Sequence, residues 1–337
     1  MRQVWISKRG TPDVLEVRET HDPSPQLGEI RIRVAFSGVN FADLLARMGL
    51  YQDAPKAPCV IGYEVSGTVD AVGASVDESW VGARVVAATR FGGYSDTVCV
   101  PAGNAVPLPP TVSDQEAAAL PVNYITAHHM LVHLGSLRAT DVVLVHGAAG
   151  GVGQAAVQLC RMVGARVLGT ASAPKHDFLR SVGVEPLDHR DASWPHKARE
   201  LTAERGVDIV LDPIGGRSVR TSYRILAPGG RLFCYGVSTM AGGERRNLFR
   251  ALGGLLAMPR FSPINLMLQN RGVIGVNIGQ LWDEFAILRS QLETLVTYAG
   301  DEQIQPVIDS VFSFDDAPAA HRRLHTRQNI GKVLLTP

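Results

Sequence analysis

The sequence has almost no excess of either charge: 33 Lys and Arg stand against 32 Asp and Glu, a net of +1 over 337 residues. A chain so balanced has no electrostatic case for binding nucleic acid or an anionic membrane surface. Cysteine is scarce. Cys59, Cys99, Cys160 and Cys234 are the only four, and no two lie within five residues of each other. That spacing excludes a CxxC zinc ribbon and argues against a disulfide framework, so a reducing, cytoplasmic setting is the simplest expectation. The opening MRQVWISKRG lacks an apolar signal core, and no secretion signal is expected. Val142 to Cys160 runs 19 residues without a charge, long enough on paper to span a bilayer. It holds four glycines, two glutamines and a histidine, and passes from a β-branched run to a helical one midway. No membrane span is expected there. With 45% hydrophobic and 19% charged residues, disorder is excluded as well. The length suits two domains of roughly 150 residues each.

What the chain does have is a change of texture. The first 120 residues read as β-rich. Ile30-Arg31-Ile32-Arg33-Val34 alternates apolar and charged, as a half-buried strand does, and Gly62 to Val72 and Ala83 to Ala88 are further strand-like runs. Pro107-Leu108-Pro109-Pro110 reads as a connector. From about Pro121, strands alternate with helices. Strands are expected at Val142 to Val145, Arg166 to Ala171, Val207 to Leu211, after the Pro-Gly-Gly turn within Leu226 to Gly236, and at Gly272 to Ile278. This alternation implies βαβ units and a parallel sheet. The segment from Met240 to Gln269 fits neither texture: basic and helical at first (Arg245, Arg246, Arg250), then apolar. The tail carries a long helix from Glu284 to Tyr298, a strand from Pro306 to Phe312, a helix from Ala317 to His325 and a last strand from Lys332 to Leu335.

The strongest motif is VVLVHGAAGGVG, residues 142 to 153, where a buried strand runs into a glycine-rich turn that opens a helix. Amide N–H groups at that helix N-terminus would face a pyrophosphate, with Gly150 admitting the phosphate and Gly153 permitting close helix–strand packing. Ala148 replaces the usual first glycine. A dinucleotide site that prefers NAD carries an acid at the end of the second strand. Here that strand ends Gly169-Thr170-Ala171-Ser172-Ala173-Pro174-Lys175, with no acid. Lys175 would supply a cation for a 2′-phosphate, so NADPH is the expected cofactor. The alternative places Lys175 in the first turn of a solvated helix.

No metal is expected. The candidate zinc region, SGVNFAD from Ser37 and Gly62-Tyr63-Glu64, offers Asn40 and Tyr63, which are not zinc ligands. His128, His129 and His133 read as partly exposed residues of a helix from Thr126. Polarising a simple ketone without a Lewis acid is hard, whereas hydride addition to a conjugated acceptor leaves a delocalised anion that hydrogen-bond donors can stabilise.

The AxGGVG turn, GVNFADLLARMGLY, DIVLDPIGG and LAPGGRLFCYG together resemble the medium-chain dehydrogenase/reductase superfamily, in its zinc-independent quinone oxidoreductase (zeta-crystallin-like) group. VNYITA (122–127), GTASAPKH (169–176), the RNL at 246–248, the 240–270 segment and IDSVFSF (308–314) are similar to its vesicle amine transport protein-like branch. The resemblance covers nearly the whole chain. It implies an α/β architecture: a GroES-like β-rich catalytic domain (1–121 and 281–337) and a Rossmann doubly wound parallel sheet (122–280), with 240–270 a lid or interface segment. It further implies a homodimer paired edge to edge through 273–278. By position, Asn40 matches a residue beside the nicotinamide ribose and Thr126 one at the nicotinamide end. Gly150, Gly151, Val152 and Gly153 match the pyrophosphate loop, and Ser172 and Lys175 the 2′-phosphate pocket. By the same resemblance His189 would flank the adenosine phosphate, Tyr235 and Asn277 would lie beside the cofactor, Arg327 matches the place of a further 2′-phosphate arginine in some members, and Tyr51 matches a tyrosine lining the substrate cleft. A second cleft tyrosine is Leu45 here, which weakens any transfer of quinone specificity. The plainer alternatives are a turn residue for Asn40, closure of the Gly49-Leu50 turn for Tyr51, a solvated loop for His189 and the surface for Arg327.

The expectation is therefore a zinc-independent NADPH-dependent reductase acting on a quinone or α,β-unsaturated carbonyl, with Asn40 and Tyr51 as catalytic candidates. Two rivals stand beside it. One is an enoyl thioester reductase with a basic mouth from Arg245, Arg246 and Arg250 to Arg260. The other is a cofactor-binding, membrane-associated adaptor that uses the apolar runs Leu252 to Ala257 and Ile264 to Leu268.

Overall fold

The computed structural model describes residues 1–244 and 248–337. The chain forms two compact units, one from Met1–Ile125 with Ile278–Pro337, the other from Thr126–Gly242 with the stretch that ends at Asn277.

The first unit is built around the strand Glu29–Val39. It pairs antiparallel with Glu64–Val72, with Thr97–Pro101 and with the C-terminal strand Lys332–Thr336, which itself runs parallel to Ile308–Ser313. Strands from before and after the second unit in the sequence thus enter one sheet, while Arg2–Ile6 belongs to a separate three-stranded sheet. The alternation in the sequence reads out directly. Ile30 and Ile32 are fully buried beside Val65, Val69 and Val85, while Arg31 and Arg33 turn outward and share Asp70 at 2.7 Å each. The helix Phe285–Gly300 buries Leu288, Leu292 and Leu295, an i, i+4, i+7 stripe.

The second unit is a six-stranded parallel sheet. Its strands run Glu185–Asp188, Arg166–Ala171, Val142–His146, Val207–Asp212, Leu226–Cys234, Gly272–Gly275 across the sheet. Counted within the unit this is the order 3-2-1-4-5-6, the doubly wound arrangement, whose switch point lies between the first and fourth strands. Both central strands are covered on two faces, and Val207–Asp212 is buried throughout.

The uncharged stretch from Val142 splits into a strand and the helix Gly151–Val163, the change of texture read in the sequence, and among the described residues no helix is long and apolar enough to cross a membrane. Three expectations need correction. The Pro228-Gly229-Gly230 turn does not precede its strand but lies inside it. The pairing skips from Val207↔Leu226 to Ile209↔Arg231, so the turn is absorbed as a bulge. The last strand of the sheet ends at Gly275, not Ile278, because Ile278 already opens a helical turn. Finally, His128 and His129 are buried rather than partly exposed. His129–His133 winds as a wide π turn that stacks His129 on His133 at 4.9 Å. The 240–270 segment contains two short helices, Leu248–Leu256 and Pro263–Gln269. Arg245 and Arg246 lie outside the described residues.

Candidate functional site

In the second unit, the strand Val142–His146 delivers the chain to the C-terminal edge of the sheet at the switch point. Gly147 takes a left-handed φ of +66° there, which a side chain would strain. The Gly150 N–H closes the turn on the Gly147 carbonyl at 2.9 Å, and the Ala148 N–H donates to the Thr170 carbonyl at 3.1 Å, fastening the turn to the neighbouring strand. A Cβ on Gly153 would meet the Gly147 carbonyl and lie 2.7 Å from the Ala148 backbone. Only glycine lets the helix start this close to the strand. No side chain caps the N-terminus of Gly151–Val163. The N–H groups of Gly151, Val152 and Gly153 therefore present the positive end of a 13-residue helix, with no capping side chain between them and an anion. The turn fits a dinucleotide pyrophosphate.

The second strand ends beside it. Lys175 N–H donates to the Ser172 carbonyl at 2.9 Å, and His189 N–H to the Ala171 carbonyl at 3.3 Å. Ser172, Lys175 and His189 are thus gathered at one strand end. Lys175 stands immediately ahead of the helix His176–Ser181, and the His189 side chain is 42% exposed. Tyr235 follows the fifth strand, its N–H on the Asp212 carbonyl at 3.1 Å, and burial pushes its phenol well above the usual range. Asn277 is exposed beyond the sixth strand, and Thr126 is buried. Arg327 is exposed in the other unit, at φ +56° just after the helix Ala317–His325.

Behind the turn lies a chain of groups that sequence reasoning missed. His146 Nδ1 sits 2.9 Å from Thr170 Oγ1 and Nε2 sits 2.9 Å from Ser222 Oγ. The hydroxyls of Ser222 and Ser218 each donate to Asp212 Oδ2 at 2.8 Å, while Asp212 Oδ1 accepts the N–H groups of Ile214 and Gly215. Burial lowers the His146 pKa and favours the neutral ring. The chain laces three strand ends together at the switch point. Its signal was present: VVLVH, VLGT and VDIVLD each carry one polar residue at or next to the C-terminal end of an apolar strand.

In the first unit, Asn40 caps the helix Phe41–Met48, in a capping box with Asp43. Asn40 is only 5% exposed, and its amide is held from both ends. Its Nδ2 donates to Glu64 Oε1 at 2.7 Å, and Lys332 Nζ donates to its Oδ1 at 2.6 Å. Lys332 also pairs with Glu64, both fully sequestered from solvent. The other Glu64 oxygen accepts the Val122 N–H at 2.7 Å. Glu64 and Lys332 are positioning groups that no local pattern revealed, being 268 residues apart. Asp43 Oδ2 accepts the Asn40 N–H at 2.8 Å, and burial raises its pKa to about 7. Tyr51 stands edge-on to Tyr63 at 6.2 Å, and Tyr63 against Phe91 at 5.4 Å. The Tyr63 hydroxyl is buried without a partner, and burial raises its pKa strongly. The Gly49-Leu50 turn is closed by backbone N–H groups on Ala46 and Leu45, so it does not need the Tyr51 hydroxyl. Leu45 is a core residue.

No group of three or more His, Cys, Asp or Glu among the described residues is placed to hold a metal. The donor set does not fit zinc.

Two family models match the chain: the alcohol dehydrogenase GroES-like domain over residues 26–110, and the zinc-binding dehydrogenase over 183–335. The Danio rerio synaptic vesicle membrane protein VAT-1 homolog is 40% identical over 93% of this chain, which spans 65% of that protein. The Mus musculus VAT-1 homolog is 39% identical, over 96% of this chain and 80% of its own length. Among solved structures, the human VAT-1 homolog-like protein superposes with a TM-score of 0.87 at 34% identity, covering 100% of this chain and 98% of its own. An Escherichia coli quinone oxidoreductase complexed with NADPH gives 0.88 at 26% identity, with 100% of both chains covered. The CurK enoyl reductase gives 0.86 at 27%, covering 99% of this chain and 98% of its own.

Proposed function

This chain belongs to the medium-chain dehydrogenase/reductase superfamily, in the VAT-1 branch of its zinc-independent, quinone oxidoreductase-like group, and we propose that it reduces a quinone or α,β-unsaturated carbonyl with NADPH. The observation that carries the proposal is the uncapped glycine turn at the switch point of a 3-2-1-4-5-6 sheet, with no acid at the end of the second strand.

When bound, NADPH supplies the hydride. The residues of this chain do the rest. The first-turn N–H groups of Gly151, Val152 and Gly153 bind the pyrophosphate, and Lys175, with Ser172 beside it, places a positive charge for the 2′-phosphate. Glu64 and Lys332 hold the Asn40 amide in one orientation, and by family resemblance Asn40 would be a residue that contacts the nicotinamide ribose. Tyr51 donates a hydrogen bond to the oxygen on which charge develops. With a donor set that does not fit zinc, a conjugated acceptor suits the site, because its anion is delocalised. The protein acts as a homodimer paired through the exposed edge of Gly272–Gly275. An enoyl thioester reductase is the second reading, supported by the likeness to the CurK enoyl reductase.

Fluorescence titration with NADPH and NADH, with parallel oxidation assays on 9,10-phenanthrenequinone, a short enone and a crotonyl thioester, tests the proposal. Tight NADPH binding with quinone or enone turnover is expected. Lys175→Ala should lower the preference for NADPH over NADH by about tenfold or more, the worth of one charge-assisted contact. Turnover of the thioester alone selects the second reading. Failure to bind either nucleotide overturns both.

A further inference from the structure

The second unit carries another cleft, away from the glycine turn in sequence. It has a volume of about 400 Å3 and is walled by the helix Arg217–Arg224 and by residues 259–271. Four arginines line it, Arg220, Arg224, Arg260 and Arg271, and no Asp or Glu does. None of the four forms an ion pair among the described residues. Many arginines elsewhere in the molecule are paired instead. Arg31, Arg33, Arg84, Arg166, Arg205, Arg231, Arg289 and Arg323 each rest on a carboxylate within 3.2 Å.

The cleft is also built rather than merely basic. Arg271 lies over the Tyr223 ring at 5.4 Å, with Nη1 donating to the Tyr223 carbonyl at 3.1 Å and to Gln269 Oε1 at 3.3 Å. Those bonds fix its guanidinium plane, yet its Nε is buried with no partner, and so is the Tyr223 hydroxyl. Tyr223 packs on Phe261 at 5.0 Å, giving the cleft an aromatic wall. Like charges gathered this closely repel one another, and a buried donor without an acceptor costs free energy. One ligand relieves both: an anion with several oxygens, to which guanidinium forks are geometrically matched. The volume falls in the range of small-molecule sites.

We propose that this cleft binds a phosphate group, held by Arg220, Arg224, Arg260 and Arg271, with the organic part of the ligand against Tyr223 and Phe261. The site is independent of the nucleotide site and does not rest on the reductase reading. The helix Pro263–Gln269 borders the cleft through Asn265 and Gln269 and leaves Ile264, Met267 and Leu268 exposed. A soluble phosphomonoester and a phosphate-bearing lipid headgroup share the required chemistry.

The test is calorimetric titration of the NADPH-saturated protein with inorganic phosphate and with glycerol 3-phosphate, at constant ionic strength set with chloride. Saturable binding is expected. Arg220→Ala and Arg260→Ala, both at exposed positions, should each weaken it about tenfold or more with NADPH affinity unchanged. Arg260→Lys should restore only part of it, since the charge returns without the fork. Equal binding by the parent and both alanine variants, or no binding beyond that of chloride, overturns the proposal. Co-sedimentation with phosphatidic acid vesicles, but not phosphatidylcholine vesicles, competed by glycerol 3-phosphate, identifies the source as a lipid. Titration without co-sedimentation identifies it as soluble, and either result supports the cleft as a phosphate site.

Discussion

The two units each bury a polar network, and the networks are made differently. In the second unit, His146, Thr170 and Asp212 sit at adjacent strand ends, with Ser222 on the helix Arg217–Arg224, and pass hydrogen bonds from group to group, with one carboxylate held by two hydroxyls and two backbone N–H groups. In the first unit, Asn40, Glu64 and Lys332 bring a buried charge pair together from the two ends of the chain. A redundant network spreads its cost over many small bonds. A charge pair concentrates it, because either ion left alone in the interior lacks compensation. The first therefore tolerates a missing member better than the second.

The largest expected effect tests the charge pair. Lys332→Met strands Glu64 and should cost about 3–5 kcal/mol in urea unfolding, whereas Lys332→Met with Glu64→Leu should recover most of that loss. A double variant as unstable as the single would show that the pair matters through packing rather than charge. Next comes Asp43, whose carboxyl is buried near Glu64, Lys332 and Tyr94 and titrates at about 7 rather than 3.8. The unfolded chain ionises this group first, so its contribution to stability falls as pH rises from about 4 to about 7 and is level above. Asp43→Asn, which still accepts the Asn40 N–H, should remove that slope when melting curves of parent and variant are subtracted across pH 4–8. Identical slopes would place the titration elsewhere. The smallest effect probes redundancy. Ser222→Ala leaves His146 Nε2 without its partner, but Asp212 keeps Ser218 and its two backbone donors. A loss of about 1–2 kcal/mol is expected, and a loss as large as that of Lys332→Met would erase the contrast.

Much of the fold was legible. The strand Arg166–Ala171 and the helix Ala317–His325 were read with their boundaries, and the Ile30 to Val34 alternation marked the core of the longer strand Glu29–Val39, since short-range periodicity specifies them. The glycine turn was legible for a similar reason: its requirements, a left-handed residue and a close approach, are local. The candidate site was legible only in its second-unit half. Asn40 and Tyr51 were located by family resemblance, but the groups that hold Asn40 were not, because Lys332 reads locally as the first residue of an apolar strand. The burial of His128 and His129 was missed because a π turn changes which face a residue shows. The arginine cleft joins residues 220 and 271, whose proximity no spacing rule predicts.

The sequence alone determined the class of protein: a β-rich half, an alternating half, a glycine-rich turn between strand and helix, and no local zinc motif. Each follows from side-chain period or backbone freedom over a dozen residues or fewer. Only the tertiary structure decided which polar groups meet: Lys332 with Asn40 and Glu64, His146 with Asp212 through Ser222, and four arginines around one cleft. Those meetings depend on strand order and register, which are set by burial of the whole core rather than by any one stretch of chain.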